Sequence, residues 1–407
     1  MDLSISPRAG QLADDIRRFM EDHVYPAEPV YAKQRTELAA RSRPNDVPQI
    51  LLDLIEAARS LGLWNLFLPE ESKLTNVEYA VLAEQTGRSP FIAPAAMNCL
   101  SPDSGNMEML KKFGTTEQQD RWLKPLLDGT IRSAFSMTEP EVASSDARNI
   151  ATRIDRDGDE FVINGRKWFT TGAADPRTTV LIVLGQSDPS AEPNRRHSMI
   201  IVPKDTPGVH IARTLPVFGY QEQQGHCEIV YDNVRVPIKN ILGEPGHGLK
   251  VAQGRLGPGR IHHCMRAIGM AERALESMCR RAVSRYAFGG LLADQGVVKV
   301  KIAEARLAID ATRLLVLRCA WRVDLLGIEN CRADIAAIKV AAPRMAESIL
   351  NEAIQLFGAA GVTGDQPLAE IWSRARTLRI VDGPDDVHLR TVARNELHPY
   401  YVQVGAR

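Results

Sequence analysis

Two short segments of this 407-residue chain concentrate side chains that could do chemistry. In the first, Arg255, Arg260, His262 and His263 stand close together. If those groups converge, they suit an anionic ligand, a polar or phosphorylated chain before a plain apolar one. If they point around a helix instead, they form a solvated or interhelical basic cluster. Adjacent helical residues face different directions, so His262 and His263 are not a matched pair. In the second segment, Asp382-Gly383-Pro384-Asp385-Asp386 reads as a turn followed by a helix start. The unpaired N–H groups of such a start favour anions such as phosphate.

Other chemistries lack their residues. Cys99, Cys227, Cys264, Cys279, Cys319 and Cys331 contain no C-x-x-C and no paired spacing, so neither a disulfide framework nor a thiolate metal site is expected. The histidines form no H-x-x-x-H or H-E-x-x-H, and no metal site is predicted. Gly254, Gly257 and Gly259, like Gly243, Gly246 and Gly248, have suggestive spacing, but neither set follows a strand and both include a proline, which argues against a dinucleotide fingerprint. There is no Walker motif and no G-x-S-x-G. Fifty Lys and Arg balance fifty Asp and Glu, which argues against nucleic acid or an anionic membrane as partner. No apolar run approaches the roughly 20 residues of a membrane span. The start, MDLSISPRAG, lacks a charged-then-apolar signal pattern, so a reducing setting is expected, a bacterial cytoplasm ahead of an organelle matrix.

The elements that must position these groups fall into three segments. Residues 1–132 carry apolar residues at three- and four-residue spacing, as in Leu12, Ile16 and Phe19, and Thr115-Thr116-Glu117-Gln118 reads as a helix start. Residues 133–244 change to short β-rich runs at 161–163, 180–184, 199–202 and 228–231, with Asp157-Gly158 and Asn164-Gly165 as turn signals. Residues 245–407 return to long helices. Ile302, Ala305, Ile309, Thr312, Val316, Cys319, Val323 and Leu326 form one stripe, and residues 335–357 form another helix in which Pro343 predicts a kink or a later start. Short connections between such helices predict an antiparallel bundle.

A further set of motifs runs in order through these segments. Met137-Thr138-Glu139-Pro140 is followed by Ala143-Ser144-Ser145-Asp146, by Asn164-Gly165-Arg166-Lys167-Trp168-Phe169-Thr170-Thr171-Gly172 and by Val234-Arg235-Val236-Pro237. Then come Arg285-Tyr286-Ala287-Phe288-Gly289, Gln355-Leu356-Phe357-Gly358 and Ile380-Val381-Asp382-Gly383-Pro384. In order and spacing the chain resembles the flavin-dependent acyl-CoA dehydrogenase family from about residue 10 to its end. The segments from Gly254 to His263 and from Asp382 to His388 resemble the branch of family members ten and eleven.

The resemblance implies an α+β multidomain fold: an N-terminal α-helical domain, a middle antiparallel β-barrel domain and a C-terminal four-helix bundle. It implies FAD as cofactor and an acyl-CoA substrate. Oxidation of such a thioester removes an α-proton and a β-hydride, so a carboxylate and an electron acceptor must flank the chain. Asp382 stands where the family usually has a glutamate base. It is one methylene shorter and must be brought closer by its backbone, and the alternative base position is Gly259. Arg260 matches an arginine near the base.

Met137, Thr138, Phe169 and Thr171 match positions around the flavin ring. Arg285, Phe288, Gln295, Gln355 and Gly358 match positions that reach the cofactor of a neighbouring subunit, and Pro384 and Asp386 also fall on cofactor positions. Ser144 or Ser145, Gly383 and Arg394 match substrate contacts, to which Arg255 and His262 are added from the basic segment. The implied assembly is a homodimer or homotetramer that passes electrons to electron-transfer flavoprotein, as in fatty-acid β-oxidation. Two other readings stay open: flavin-assisted conversion of a 4-hydroxy- or 4-phosphoacyl-CoA by elimination without net oxidation, and a non-catalytic acyl-CoA-binding module.

Overall fold

The computed structural model describes residues 1–403. Its contacts gather the chain into two compact units that are not contiguous in sequence. One comprises Met1–Tyr25, Pro69–Pro94 and the chain from Arg260 onward; the other comprises Pro26–Leu68 and Ala95–Gly259. The helix Gly248–Ser284 therefore begins in the second unit and continues, from Arg260, in the first.

The second unit is built on a seven-stranded sheet. Its strands are β1 (Arg132–Ser136), β2 (Arg153–Asp157), β3 (Glu160–Thr171), β4 (Thr178–Gln186), β5 (His197–Pro203), β6 (Val209–Thr214) and β7 (His226–Pro237). They follow the order β1-β4-β2-β3-β7-β6, with β5 paired to β4. The expected barrel-like domain is thus a half-barrel left open, with β1, β5 and β6 each paired to a single strand. Pairing is mostly antiparallel, as the alternation predicts, but β1 runs parallel to β4. In β4, Val180 to Leu184 is an unbroken apolar run, and all five residues are fully buried, as expected for a strand covered on both faces. The core joins Ile163, Leu181, Val183, Ile200, Val202, Ile229 and Tyr231.

Both turn signals resolve in instructive ways. Asp157-Gly158 forms the β2–β3 turn, with Gly158 at φ 60°. Asn164-Gly165 is not a turn: β3 runs straight through it, and the pairing with β7 shifts register there. The glycine is needed for close approach, because a Cβ at position 165 would lie 2.9 Å from the Cα of Thr152. The helix start at Thr115 is as expected, a reciprocal box in which Thr115 and Gln118 each accept from the other's backbone N–H.

The first unit is helical. Pro7–Phe19 and Asn76–Gly87 accompany Gly296–Leu326, Arg332–Phe357, Leu368–Leu378, Asp385–Gln403 and the later part of Gly248–Ser284. The Gly296–Leu326 stripe buries Ala305, Ile309, Val316, Cys319 and Val323, whereas Leu326 is exposed. Arg332–Phe357 is one helix with Pro343 buried in its interior, so the later start does not occur. Gly87 lies against the backbone of Arg266, and Gly269 against that of Glu84, so these helices cross with no room for a Cβ. Beside this crossing Arg306 forms a two-bond fork with Glu272, at 2.8 and 2.6 Å, and Arg313 forms another with Glu84, at 2.9 Å for both bonds. No helix among the described residues is long and apolar enough to cross a membrane.

Candidate active site

In the helical unit, Asp382 sits at the corner between two helices. Leu368–Leu378 ends just before it and Asp385–Gln403 begins just after it. The corner needs two left-handed residues in succession, Asp382 at φ 54° and Gly383 at φ 101°. A non-glycine residue held there is strained unless its neighbours over-determine it, and they do. Arg260 donates from Nε and Nη2 to the Asp382 carbonyl oxygen, at 3.0 and 2.9 Å, and the His388 Nε2 lies 3.2 Å from the same atom. Asp385, at the start of the next helix, accepts from Arg344 at 2.8 Å and from the Arg379 Nε at 2.9 Å.

The Asp382 carboxylate faces His263, whose Nε2 is 3.5 Å from Oδ2. Burial holds the imidazoles of His263 and His388 in the neutral form, lowering His388 to about 4; for His263 the opposing charge of Asp382 is outweighed. Lys339, fully buried, donates to the Leu378 carbonyl and adds positive potential, although burial lowers its own pKa. The Arg260 guanidinium grips the Asp382 carbonyl and is near enough for its charge to interact with the Asp382 carboxylate.

His262 does not join this group. Its ring packs edge-on against Tyr79 at 4.6 Å between centroids, and burial pushes its pKa well down. Lys339 and His388 escaped sequence reasoning, which noted His263 only as part of the basic segment. The available signal was the three-residue spacing of Arg260 and His263, which puts both on one helix face. Pro384 is half-buried, and Asp386 and Arg394 are exposed on the last helix. Arg285 and Gln355 are exposed and Gln295 is half-buried at the start of Gly296–Leu326. Gly358, at φ 65°, has open space where a Cβ would be.

In the sheet unit, the loop after β1 carries Met137 and Thr138, and a buried ion pair pins it. Lys167 Nζ lies 2.8 Å from Glu139 Oε1 and donates to the Met137 carbonyl at the same distance. Glu139 also accepts from the backbone of Ala151 and Thr152 at 2.8 Å, and Trp168 N donates to the Thr138 carbonyl at 2.9 Å. Next along β3, Phe169 takes φ 50° at a register shift, which leaves its ring 45% exposed. Thr171 Oγ1 lies 2.8 Å from His226 Nδ1. Ser144 is used inside the loop, where its hydroxyl accepts from Glu139 N at 2.9 Å, while Ser145 is exposed.

Arg255 is buried in this same unit. Its guanidinium lies 4.2 Å from the Phe135 ring centroid and donates to Asn106 at 3.1 Å. Gly105 makes room for it, since a Cβ there would be 3.0 Å from the arginine side chain. Arg255 therefore lies in a different unit from Arg260 and the two histidines.

The residues present fit FAD. Phe169 and Phe288 are large aromatic side chains held out at left-handed corners, 45% and 102% exposed, as faces that a flat ring system would cover. Thr171 lies two residues beyond the first of them, and Trp168, just before Phe169, donates to the Thr138 carbonyl.

Known proteins carry the same architecture. The N-terminal, middle and C-terminal domains of the acyl-CoA dehydrogenases match residues 6–130, 134–234 and 246–397. A Mycobacterium tuberculosis protein bearing the name acyl-CoA dehydrogenase FadE2 is 55% identical over 397 residues, 98% of this chain and 97% of that protein. Acyl-CoA dehydrogenase family member 11 of Mus musculus is 47% identical over 405 residues; these are 99% of this chain, which spans only 52% of that relative. A solved acyl-CoA dehydrogenase structure from Mycobacterium abscessus is 50% identical, with a TM-score of 0.94 over 98% of this chain and 100% of that one. With all three domains matched and half or more of the residues shared with full-length relatives, the chain belongs to the acyl-CoA dehydrogenase family, FAD-dependent oxidoreductases of acyl-CoA thioesters.

Proposed function

We propose that Asp382 is the base that removes the α-proton of an acyl-CoA. The observation that carries this reading is the way the corner is built. Arg260 and His388 occupy the carbonyl of Asp382, and its side chain remains 22% exposed. A carboxylate one methylene shorter than the family's glutamate is thereby aimed by a strained backbone that its neighbours hold in place. When bound, FAD supplies the acceptor for the β-hydride. Met137, Thr138, Phe169 and Thr171 would hold its ring, and the buried Lys167–Glu139 pair keeps their loop and strand together. Ser144 or Ser145 and Arg394 would orient the CoA ester, and Gly383, Pro384 and Asp386 would line the turn beside the base.

A second copy of the chain completes the assembly in this reading. Val300, Leu307 and Leu314 recur at seven-residue intervals along Gly296–Leu326 and are 55%, 70% and 55% exposed, an apolar stripe that suits a helix of another subunit. Arg285, Phe288, Gln295, Gln355 and Gly358 would then reach the neighbouring cofactor, and electron-transfer flavoprotein would collect the electrons.

The second reading, in which the acyl chain carries a 4-hydroxyl or 4-phosphate that is eliminated without net oxidation, draws no support from Arg255, whose guanidinium packs on Phe135 and Asn106. An anaerobic titration of the holoenzyme with straight-chain and 4-hydroxyacyl-CoAs separates the two. Bleaching of the flavin band by straight-chain thioesters supports the dehydrogenase. Release of water or phosphate from a 4-substituted chain, with the band unchanged and no acceptor consumed, supports elimination.

A further inference from the structure

We propose that His226 is the positioning residue of Thr171: its Nδ1 takes the threonine's hydroxyl hydrogen and leaves the oxygen turned outward as a hydrogen-bond acceptor. This rests on Thr171 lining the flavin ring. The two residues stand opposite each other in the antiparallel pair of β3 and β7. Phe169, two residues before Thr171, brings its exposed ring to 6.4 Å from the His226 ring, centroid to centroid. Imidazole, hydroxyl and aromatic ring are thus one cluster. His226 is buried, and the backbone around it is fixed: Gly172 N donates to the Gly225 carbonyl at 2.9 Å, and Leu215 N to the His226 carbonyl at 2.7 Å.

Thr171 has one hydroxyl hydrogen and two acceptors within reach. His226 Nδ1 is at 2.8 Å, a full hydrogen bond, whereas the Phe169 carbonyl is at 3.4 Å, near the limit of one. For Nδ1 to accept, the N–H of the ring must sit on Nε2. Nε2 is buried and makes no hydrogen bond. Oε1 of Glu222 is 3.6 Å from it, too far for a hydrogen bond but close enough for its negative charge to favour an N–H over a lone pair there. The consequence is chemical. An oxidised isoalloxazine ring presents acceptor nitrogens along its edge, and the two-electron reduced ring presents N–H groups in their place. A hydroxyl that has given its hydrogen inward accepts from the ring and so favours the reduced form, whereas a free hydroxyl donates and favours the oxidised one. His226 gains and loses no proton; it acts through Thr171.

The test is the two-electron midpoint potential of FAD-loaded protein, with the dissociation constant of oxidised FAD beside it, for wild type, His226→Leu, Thr171→Val and the double variant. One neutral hydrogen bond changes the ratio of oxidised to reduced binding about tenfold, which is about 30 mV for a two-electron couple. His226→Leu should lower the potential by about that much, because the freed hydroxyl donates to the oxidised ring, and Thr171→Val should lower it as well. In the double variant His226→Leu should add nothing to Thr171→Val, since the hydroxyl it acts through is gone. His226→Asn, which offers an oxygen near the place of Nδ1, should return most of the potential. A His226→Leu protein at the wild-type potential, while Thr171→Val is shifted, refutes the role of His226 and leaves Thr171 at the ring. A rise in potential on His226→Leu overturns the direction of the hydrogen bond and the proposal with it. An equal shift with and without the Thr171 hydroxyl also overturns it, leaving only a packing role. A Thr171→Val protein that matches wild type in potential and FAD affinity removes Thr171 from the ring, and this proposal falls with that reading. Histidine 15N spectra of the wild-type protein decide even if His226→Leu holds no FAD. The His226 signal, identified by its absence in His226→Asn, must carry its N–H on Nε2; an N–H on Nδ1 overturns the proposal.

Discussion

Replacing Lys167 by methionine should at once destabilise the sheet unit and loosen the loop that carries Met137 and Thr138. Lys167 and Glu139 are 0% and 4% exposed and 2.8 Å apart. Burial alone brings the lysine down to about 8 against the pull of Glu139, whereas Glu139 stays below its ordinary range because Lys167 and the backbone of Ala151 and Thr152 outweigh burial. Removing one member of a buried pair costs about 3–5 kcal/mol, because the survivor is left charged and uncompensated. Glu139 keeps its two backbone donors, so the low end applies, about 3 kcal/mol. For a unit of this size that corresponds to a fall of roughly 6–12 °C in Tm. The Met137 carbonyl also loses its donor, so the protein should retain less FAD after gel filtration. Adding Glu139→Gln to Lys167→Met removes the stranded charge and should recover part of the loss. Scanning calorimetry and flavin absorbance read all three proteins. A Lys167→Met protein that melts within a degree of wild type, or a double variant no more stable than the single, would refute the reasoning.

Three further outcomes follow from the same geometry. Gly269→Ala drives a methyl into the Glu84 backbone and should cost about 3 kcal/mol or more, whereas Gly10→Ala, in open space on a helix, should gain roughly 0.5–1 kcal/mol; paired denaturant melts compare them. His388 is lowered to about 4, so between about pH 6.5 and 4 the unfolded chain binds a proton that the native site refuses; His388 alone contributes a fall of about 3 kcal/mol as pH drops through that window, and the buried His262 and His263 add to it. Urea midpoints that do not change over this range contradict the assignment of a neutral His388. Phe169→Ala should weaken FAD binding about tenfold through lost stacking while leaving the melting of flavin-free protein unchanged, as fluorescence titration and calorimetry would reveal.

Much of the fold was legible because its signals are local. The apolar run of β4, the reciprocal cap at Thr115 and the stripe from Ala305 to Val323 each depend on neighbours within a turn or a strand. Asn164-Gly165 misled because the pair serves two purposes: it favours turns, and it also admits a close backbone. Here Thr152 fills the space that a side chain would need. Pro343 predicts a kink or a later start, yet the packing of Arg332–Phe357 against three other helices keeps that helix whole. The site was legible only in part. Asp382 and Phe169 announced themselves by motif, but the atoms that hold them come from far along the chain. Lys167 finds Glu139 across a strand and a loop, and Arg255 finds Gly105 and Asn106 from a distant helix. His262 and His263 are adjacent in sequence, yet one packs on Tyr79 and the other faces Asp382, a difference only the helix phase decides.

The most direct test of the account is flavin reduction by a saturating acyl-CoA in FAD-loaded Asp382→Asn, with Asp382→Glu alongside it. The account predicts that the asparagine protein binds FAD and substrate, shifting the flavin spectrum, but leaves the oxidised band in place, and that the glutamate protein reduces its flavin. An asparagine protein that bleaches at the wild-type rate would contradict it.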